Sequence, residues 1–104
     1  MKILYDSDVL EELIFLAGYI SDDNEETAQR FLDACDATFR FLAENRYAGA
    51  EKSFSNPTLR EVRMWRVKGF EKHLVFYQPL TGGIRILHVI NSARDWRGLF
   101  DDEV

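Results

Sequence analysis

Histidine and arginine are the side chains in this 104-residue sequence best suited to moving protons or meeting anions. Histidine exchanges a proton near neutral pH, and there are two, His73 and His88. Both lie in β-rich stretches, and neighbouring strands would bring them to a common pocket. The plainer alternative for each is a strand histidine held by one hydrogen bond. Arg63, Arg66 and Arg94 supply cations suited to a phosphate or a carboxylate. Arg94 equally suits a brace to Asp95 at a strand end. Arg63, His73, His88 and Arg94 are therefore the residues that would serve acid–base chemistry on an anionic substrate, though no catalytic role is assigned to them from residue type alone. No cysteine or carboxylate cluster stands at ligand spacing around the histidines, so neither a metal nor a cofactor is expected. Trp96 and Phe100 offer either a partner contact or closure of the core, and Trp65 suits a core position better than a base-stacking one.

The stretch 68–95 must position most of these groups. It holds two β-rich runs, 72–78 and 84–91, separated by Thr81-Gly82-Gly83, the pattern of a hairpin. The second run is apolar on both faces over 84–90, as expected of an interior strand. Upstream, 59–67 reads as a third strand, with Val62 and Met64 on one face and Arg63, Trp65 and Val67 on the other. Arg66 and Lys68 turn the Val62 side basic at one end. Residues 2–5 are a short strand candidate that must join this sheet to persist.

Between them, Asp6-Ser7-Asp8 offers capping side chains, followed at helical spacing by Leu10, Leu13, Ile14, Ala17 and Ile20. Ser21-Asp22-Asp23-Asn24 breaks the period and offers a second cap. The period then resumes with Ala28, Phe31, Leu32, Cys35, Thr38, Phe39 and Leu42 and ends near Asn45. So short a connection predicts an antiparallel helix pair. Phe15 and Phe41 fall beside the main stripes, as interface residues or as the margin of a wide stripe. Residues 46–59 lack a period and read as loop, and Asp95 suits the cap of a short final turn through Gly98. The expectation is one α+β domain over 1–104, an N-terminal strand and helical hairpin packed on a small, mostly antiparallel sheet.

Composition narrows the class. The chain is 46% apolar and 30% charged, ordinary for a globular protein, and no apolar run approaches the ~20 residues of a membrane helix. No signal peptide is visible and Cys35 stands alone, so a soluble cytoplasmic protein is expected. The net charge of −5 conceals an asymmetry. Residues 1–45 carry three basic and eleven acidic side chains, a net of −8, whereas 46–100 carry ten basic and four acidic, a net of +6. Asp101-Asp102-Glu103 adds −3. Such a bias is either a solvated face or a surface that meets an anionic partner.

The order of elements, with Lys68-Gly69-Phe70-Glu71-Lys72-His73-Leu74-Val75-Phe76-Tyr77 and then Ile86-Leu87-His88-Val89-Ile90 running into Ala93-Arg94-Asp95, resembles the RelE/ParE superfamily of bacterial toxins, and ParE most closely. The resemblance runs from Tyr5 to about Phe100. It implies a toxin held inactive by a ParD-like antitoxin, of the kind encoded in plasmid-stabilisation modules, with DNA gyrase as the target in the ParE branch. In the RelE branch the target is mRNA on the ribosome. RelE-type nucleases resemble this chain in having an arginine where Arg94 stands. They also carry an arginine three residues before the hairpin tyrosine, where this chain has Leu74. Their tyrosine six residues beyond the Arg94 position is here Phe100. Leucine cannot neutralise a phosphate and phenylalanine has no hydroxyl. Many relatives place histidine-glycine before the Ala-Arg-Asp, where this chain has Asn91-Ser92.

Three readings follow: a gyrase-directed ParE-type toxin, a ribosome-dependent endoribonuclease with an unusual site, and an inactive toxin-fold binding module. The missing arginine and tyrosine favour the first. An antitoxin tail would dock as an amphipathic helix or as a strand added at the outer edge of the meander, and Arg63, Arg66, Arg94 and Trp96 are the expected contacts for either the antitoxin or the target. DNA contact in such complexes is usually the antitoxin's, and none is assigned to this chain.

Overall fold

A computed structural model describes residues 1–54 and 56–101. The elements run β1 (Lys2–Tyr5), α1 (Val9–Ser21), α2 (Glu25–Glu44), β2 (Ala50–Lys52), β3 (Val62–Val67), β4 (Phe70–Leu80), β5 (Gly83–Asn91) and α3 (Gly98–Asp101). One five-stranded sheet has the order β1-β5-β4-β3-β2. Its β2–β5 ladders are antiparallel, and β1 adds parallel to β5 with Lys2 opposite Gly83. The chain is therefore α+β, with β5 interior as its two apolar faces require. A Cβ on Gly83 would collide with the Lys2 carbonyl, so the close approach of β1 demands a glycine there.

The second helix forms where its sequence predicts. Asn24 caps it by accepting a bond from the Thr27 N–H at 3.0 Å, and its buried stripe is Ala28, Phe31, Cys35, Phe39 and Leu42. The first helix differs from expectation in two respects. Asp8 occupies its N-cap, yet no side chain caps it. Its buried residues are Val9 and Leu16, with Leu13 and Ile20 partly buried, whereas Leu10 and Ile14 face outward. Because α1 is apolar around most of its circumference, periodicity alone could not choose the packed side.

Two apolar cores flank the sheet. On the helix side Phe31, Cys35, Phe39 and Leu42 meet Val67, Val75, Tyr77, Ile84, Ile86 and Val89. On the other side Val62, Leu74, Phe76, Leu87, Ile90 and Phe100 form a second cluster, joined by Phe54, Leu59, Met64, Trp96 and Leu99. Segments without long regular elements thus cover the face that the helices leave open. The alternation in β3 is as expected, Trp65 and Val67 packing on the helix side, Val62 and Met64 on the other. Two features of the 46–59 region differ from a plain loop. Residues 50–52 form β2 on the flank of β3, and Phe54 and Leu59 enter the second core. The outer strand of the meander is therefore covered over part of its length.

Candidate functional site

The two histidines do not share a pocket. His73 lies on the helix side, its ring 4.7 Å from that of Phe31, with Nδ1 3.3 Å from the Phe70 carbonyl. Burial holds its imidazole below the ordinary histidine range, partly offset by the bond to Phe70. His88 lies toward the second core, edge-on to Phe100 at 5.2 Å. The β4–β5 register passes from Tyr77 opposite Ile86 to Phe76 opposite His88, so Leu87 is an extra residue at this point. The bulge breaks the alternation that would have put both histidines on one face.

His88 has a partner that sequence spacing conceals. Glu12 Oε2 on α1 lies 2.6 Å from His88 Nδ1, and Glu12 Oε1 accepts from the Val89 N–H at 2.9 Å. β1 ends opposite Ile86, so this carboxylate caps the sheet edge where the parallel strand stops. An acidic residue in a first helical turn reads locally as dipole compensation. Nothing within α1 points to a strand 76 residues away.

The arginines separate as well. Arg63 is committed inside the fold: its guanidinium donates to the Gly49 carbonyl at 2.8 Å and to that of Tyr47 at 3.3 Å, and lies 3.9 Å from Glu51. It sits opposite Tyr77, whose hydroxyl accepts from the Gly49 N–H at 2.9 Å and donates to the Arg46 carbonyl at 3.0 Å. Burial pushes the Tyr77 hydroxyl up, against the opposing pull of the Gly49 bond and Arg63. Together these groups fasten the chain leaving α2 to the sheet. A tyrosine within the apolar run Leu74-Val75-Phe76-Tyr77 was the available signal, since a buried hydroxyl needs partners. Arg94 is exposed and lines a separate cavity of about 610 Å³ with His88, Asn91, Phe15 and Glu11. Its main-chain N–H closes the turn onto Asn91, and among the described residues it makes no ion pair with Asp95. Trp96 packs on Phe76 at 5.1 Å, with the Arg97 guanidinium over its ring. Main-chain bonds from Leu99 to Trp96 and from Phe100 to Arg97 close the final turn that Asp95 was expected to cap.

Leu74 and Phe100 are both buried in the second core. The positions where a nuclease of this type would carry cation and hydroxyl are thus occupied by apolar packing. Cys35 is buried, and burial pushes its thiol up to about 12, which removes it as a nucleophile.

A concavity of about 920 Å³ runs between α2 and the flank of β3. Ala34, Ala37, Thr38 and Phe41 of α2 line one wall and Met64 and Trp65 the other, with Phe41 stacked on Trp65 at 5.5 Å. Arg66, Lys68 and Glu71 stand at one end. Glu71 accepts from the Gly69 N–H of the β3–β4 turn and Arg66 donates to the Glu71 carbonyl, and with Arg66 and Lys68 against one carboxylate this end is net positive. β2 pairs only with residues 62–64, and among the described residues 65–67 have a ladder partner only in β4. The groove thus brings together apolar surface, an open strand edge and positive charge, the features by which a peptide segment is recognised.

A family model described as the ParE toxin of the type II toxin-antitoxin system, parDE, matches residues 3–96. The chain belongs to this ParE toxin family, and membership implies an antitoxin partner. No curated protein sequence matches the chain significantly. Among the described residues no helix is long and apolar enough to cross a membrane, and no cluster of His, Cys, Asp and Glu is placed to hold a metal ion.

Proposed function

We propose that this toxin acts in the cytoplasm by binding DNA gyrase, and that a ParD-like antitoxin neutralises it by folding a disordered tail into the groove between α2 and β3. The groove is the observation that carries the antitoxin half of this reading. An acidic amphipathic tail would place apolar side chains on Phe41 and Trp65 and its carboxylates on Arg66 and Lys68. The open 65–67 edge offers main-chain bonds to an added strand, while Glu12 blocks the corresponding bond at Val89 on the opposite flank. Replacing Arg66 by Ala is expected to weaken antitoxin binding by roughly tenfold in a calorimetric titration.

His88 and Arg94 share one cavity, but Arg63 is committed to the Tyr47 and Gly49 carbonyls and His73 lies on the helix side, so the four do not converge on one reacting group, which supports binding over RNA chemistry. Arg94 is exposed to a target surface, whereas Trp96 is engaged in the second core. Antitoxin-free expression with separate readouts of DNA breaks and mRNA integrity tests this. Gyrase-linked breaks and DNA-damage signalling with intact message are expected. Message cut within codons would install the endoribonuclease reading, and undisturbed growth would leave an inactive binding module.

A further inference from the structure

The outward half of α1 carries four large apolar side chains in contact with solvent, Leu10, Ile14, Phe15 and Tyr19, each between 64% and 72% exposed. At about 100° per residue they occupy the half of the helix opposite the packed residues Val9, Leu13, Leu16 and Ile20. Gly18 sits near the middle of this half. It is helical, and a Cβ there would meet nothing within 4 Å. A glycine inside a helix weakens it relative to alanine, and no neighbour inside the molecule requires this one. Its effect is a notch among Ile14, Phe15 and Tyr19 that lets another surface approach the helix backbone.

The electrostatics around the notch select what covers it. α1 contains no lysine or arginine; Glu11 lies on the apolar half and Asp8 and Asp22 stand at its two ends, and these carboxylates outnumber Arg94, which shares a cavity with Asp8, Glu11 and Phe15. Two copies meeting through α1 about a two-fold axis would set these carboxylates against their equivalents. An acidic tail suited to the Arg66 and Lys68 groove would be repelled here. Away from the cavity that Phe15 borders, the face is the convex outer side of a helix, which suits a recess in a folded protein better than a wrapping segment.

We propose that this face of α1 is the surface by which the toxin enters an apolar groove rimmed by lysine or arginine on its folded target protein. The inference rests on the toxin reading above and assigns target and antitoxin to different sides of the molecule. Gly18→Leu fills the notch and Phe15→Glu places a charge on it. Each is to be compared with wild type by thermal melting, calorimetric binding of the purified cognate antitoxin, binding to purified DNA gyrase, and growth arrest on antitoxin-free induction. Both variants are expected to fold and to bind antitoxin within about twofold of wild type, while target affinity falls by roughly 30-fold or more, the scale of a lost interface anchor, and arrest is relieved. Arrest of wild-type strength in both variants overturns the inference and leaves the toxin reading standing. Loss of antitoxin binding in parallel also overturns it, because the face would then belong to the antitoxin, as does a wild-type dimer that Gly18→Leu dissociates. Arrest by wild type without gyrase binding removes gyrase as the target, and relief of arrest in the variants then still supports the α1 face. A wild-type chain that leaves growth untouched overturns the toxin reading and this inference together.

Discussion

The two faces of the sheet are both dry, but they are made dry by different means. One is covered by α1 and α2, whose stripes interlock with Val75, Tyr77, Ile84 and Val89. The other is covered by Phe54 and Leu59 from an irregular connection, and by Trp96, Leu99 and Phe100 from a short final turn. Regular helices bring their own satisfied backbones, so the first face is sealed by long cooperative elements. The second depends on a few aromatic anchors: Phe54 packs on Phe100 at 4.5 Å, and Phe76 on Trp96 and Phe100. The contrast teaches that Leu74 and Phe100 serve the packing of the second face. In a nuclease of this superfamily type the open face would need cations and a hydroxyl, and here Leu74 and Phe100 fill it.

The sharpest way to break the comparison is to hollow out each face in turn. Phe31→Ala on the helix side is expected to cost about 3–5 kcal/mol in urea unfolding, the range for a fully buried phenylalanine. Phe100→Ala should cost less, about 2–3 kcal/mol, because the short terminal turn can collapse into the space or detach. Equal losses would show the second face to be as cooperative as the first. Glu12→Ala probes the seam between them. It leaves the Val89 N–H and His88 without their partner and should cost about 2 kcal/mol, whereas Glu12→Gln, which keeps an acceptor, should cost less. Identical stabilities for the two variants would mean that the seam contributes through packing alone.

Gly18→Ala should have the opposite sign and a smaller size, stabilising the isolated chain by up to about 1 kcal/mol, since the site is helical and open. A destabilised variant would reveal an internal constraint at that position. The weakest effect concerns His73, buried on the helix side. Its folded pKa is depressed, so below the ordinary histidine value the unfolded chain binds more protons. Its contribution is complete above that range and declines as the pH falls through it. Urea midpoints at about pH 7.5 and about pH 5.5 should differ more in wild type than in His73→Gln. An unchanged difference would assign the acid sensitivity elsewhere.

Much of this architecture was legible beforehand because its signals are local. The i, i+3, i+4 spacing from Ala28 to Leu42 made α2 and its buried side readable, with Asn24 marking its start. Alternation in β3 and two-sided apolarity in β5 put Val62 and Trp65 on opposite faces and β5 inside the sheet. β2 escaped notice because Ala50-Glu51-Lys52 has no strand character of its own and is held by pairing to residues 62–64. For the candidate site, the residue types were visible but their grouping was not. Both histidines stood in strands as read, yet one bulge at Leu87 sent them to different sides.

By itself, then, the order of amino acids determined the elements other than β2, the acidic and basic halves and the absence of cation and hydroxyl at Leu74 and Phe100. Each of these depends on residue type or on spacing within a few turns of chain. Only the tertiary structure decided which side of α1 packs, where Glu12 reaches, and that Arg63 braces the fold while Arg66 faces the groove. Those outcomes are fixed by contacts between distant segments, where many placements share one local pattern and only the folded packing selects among them.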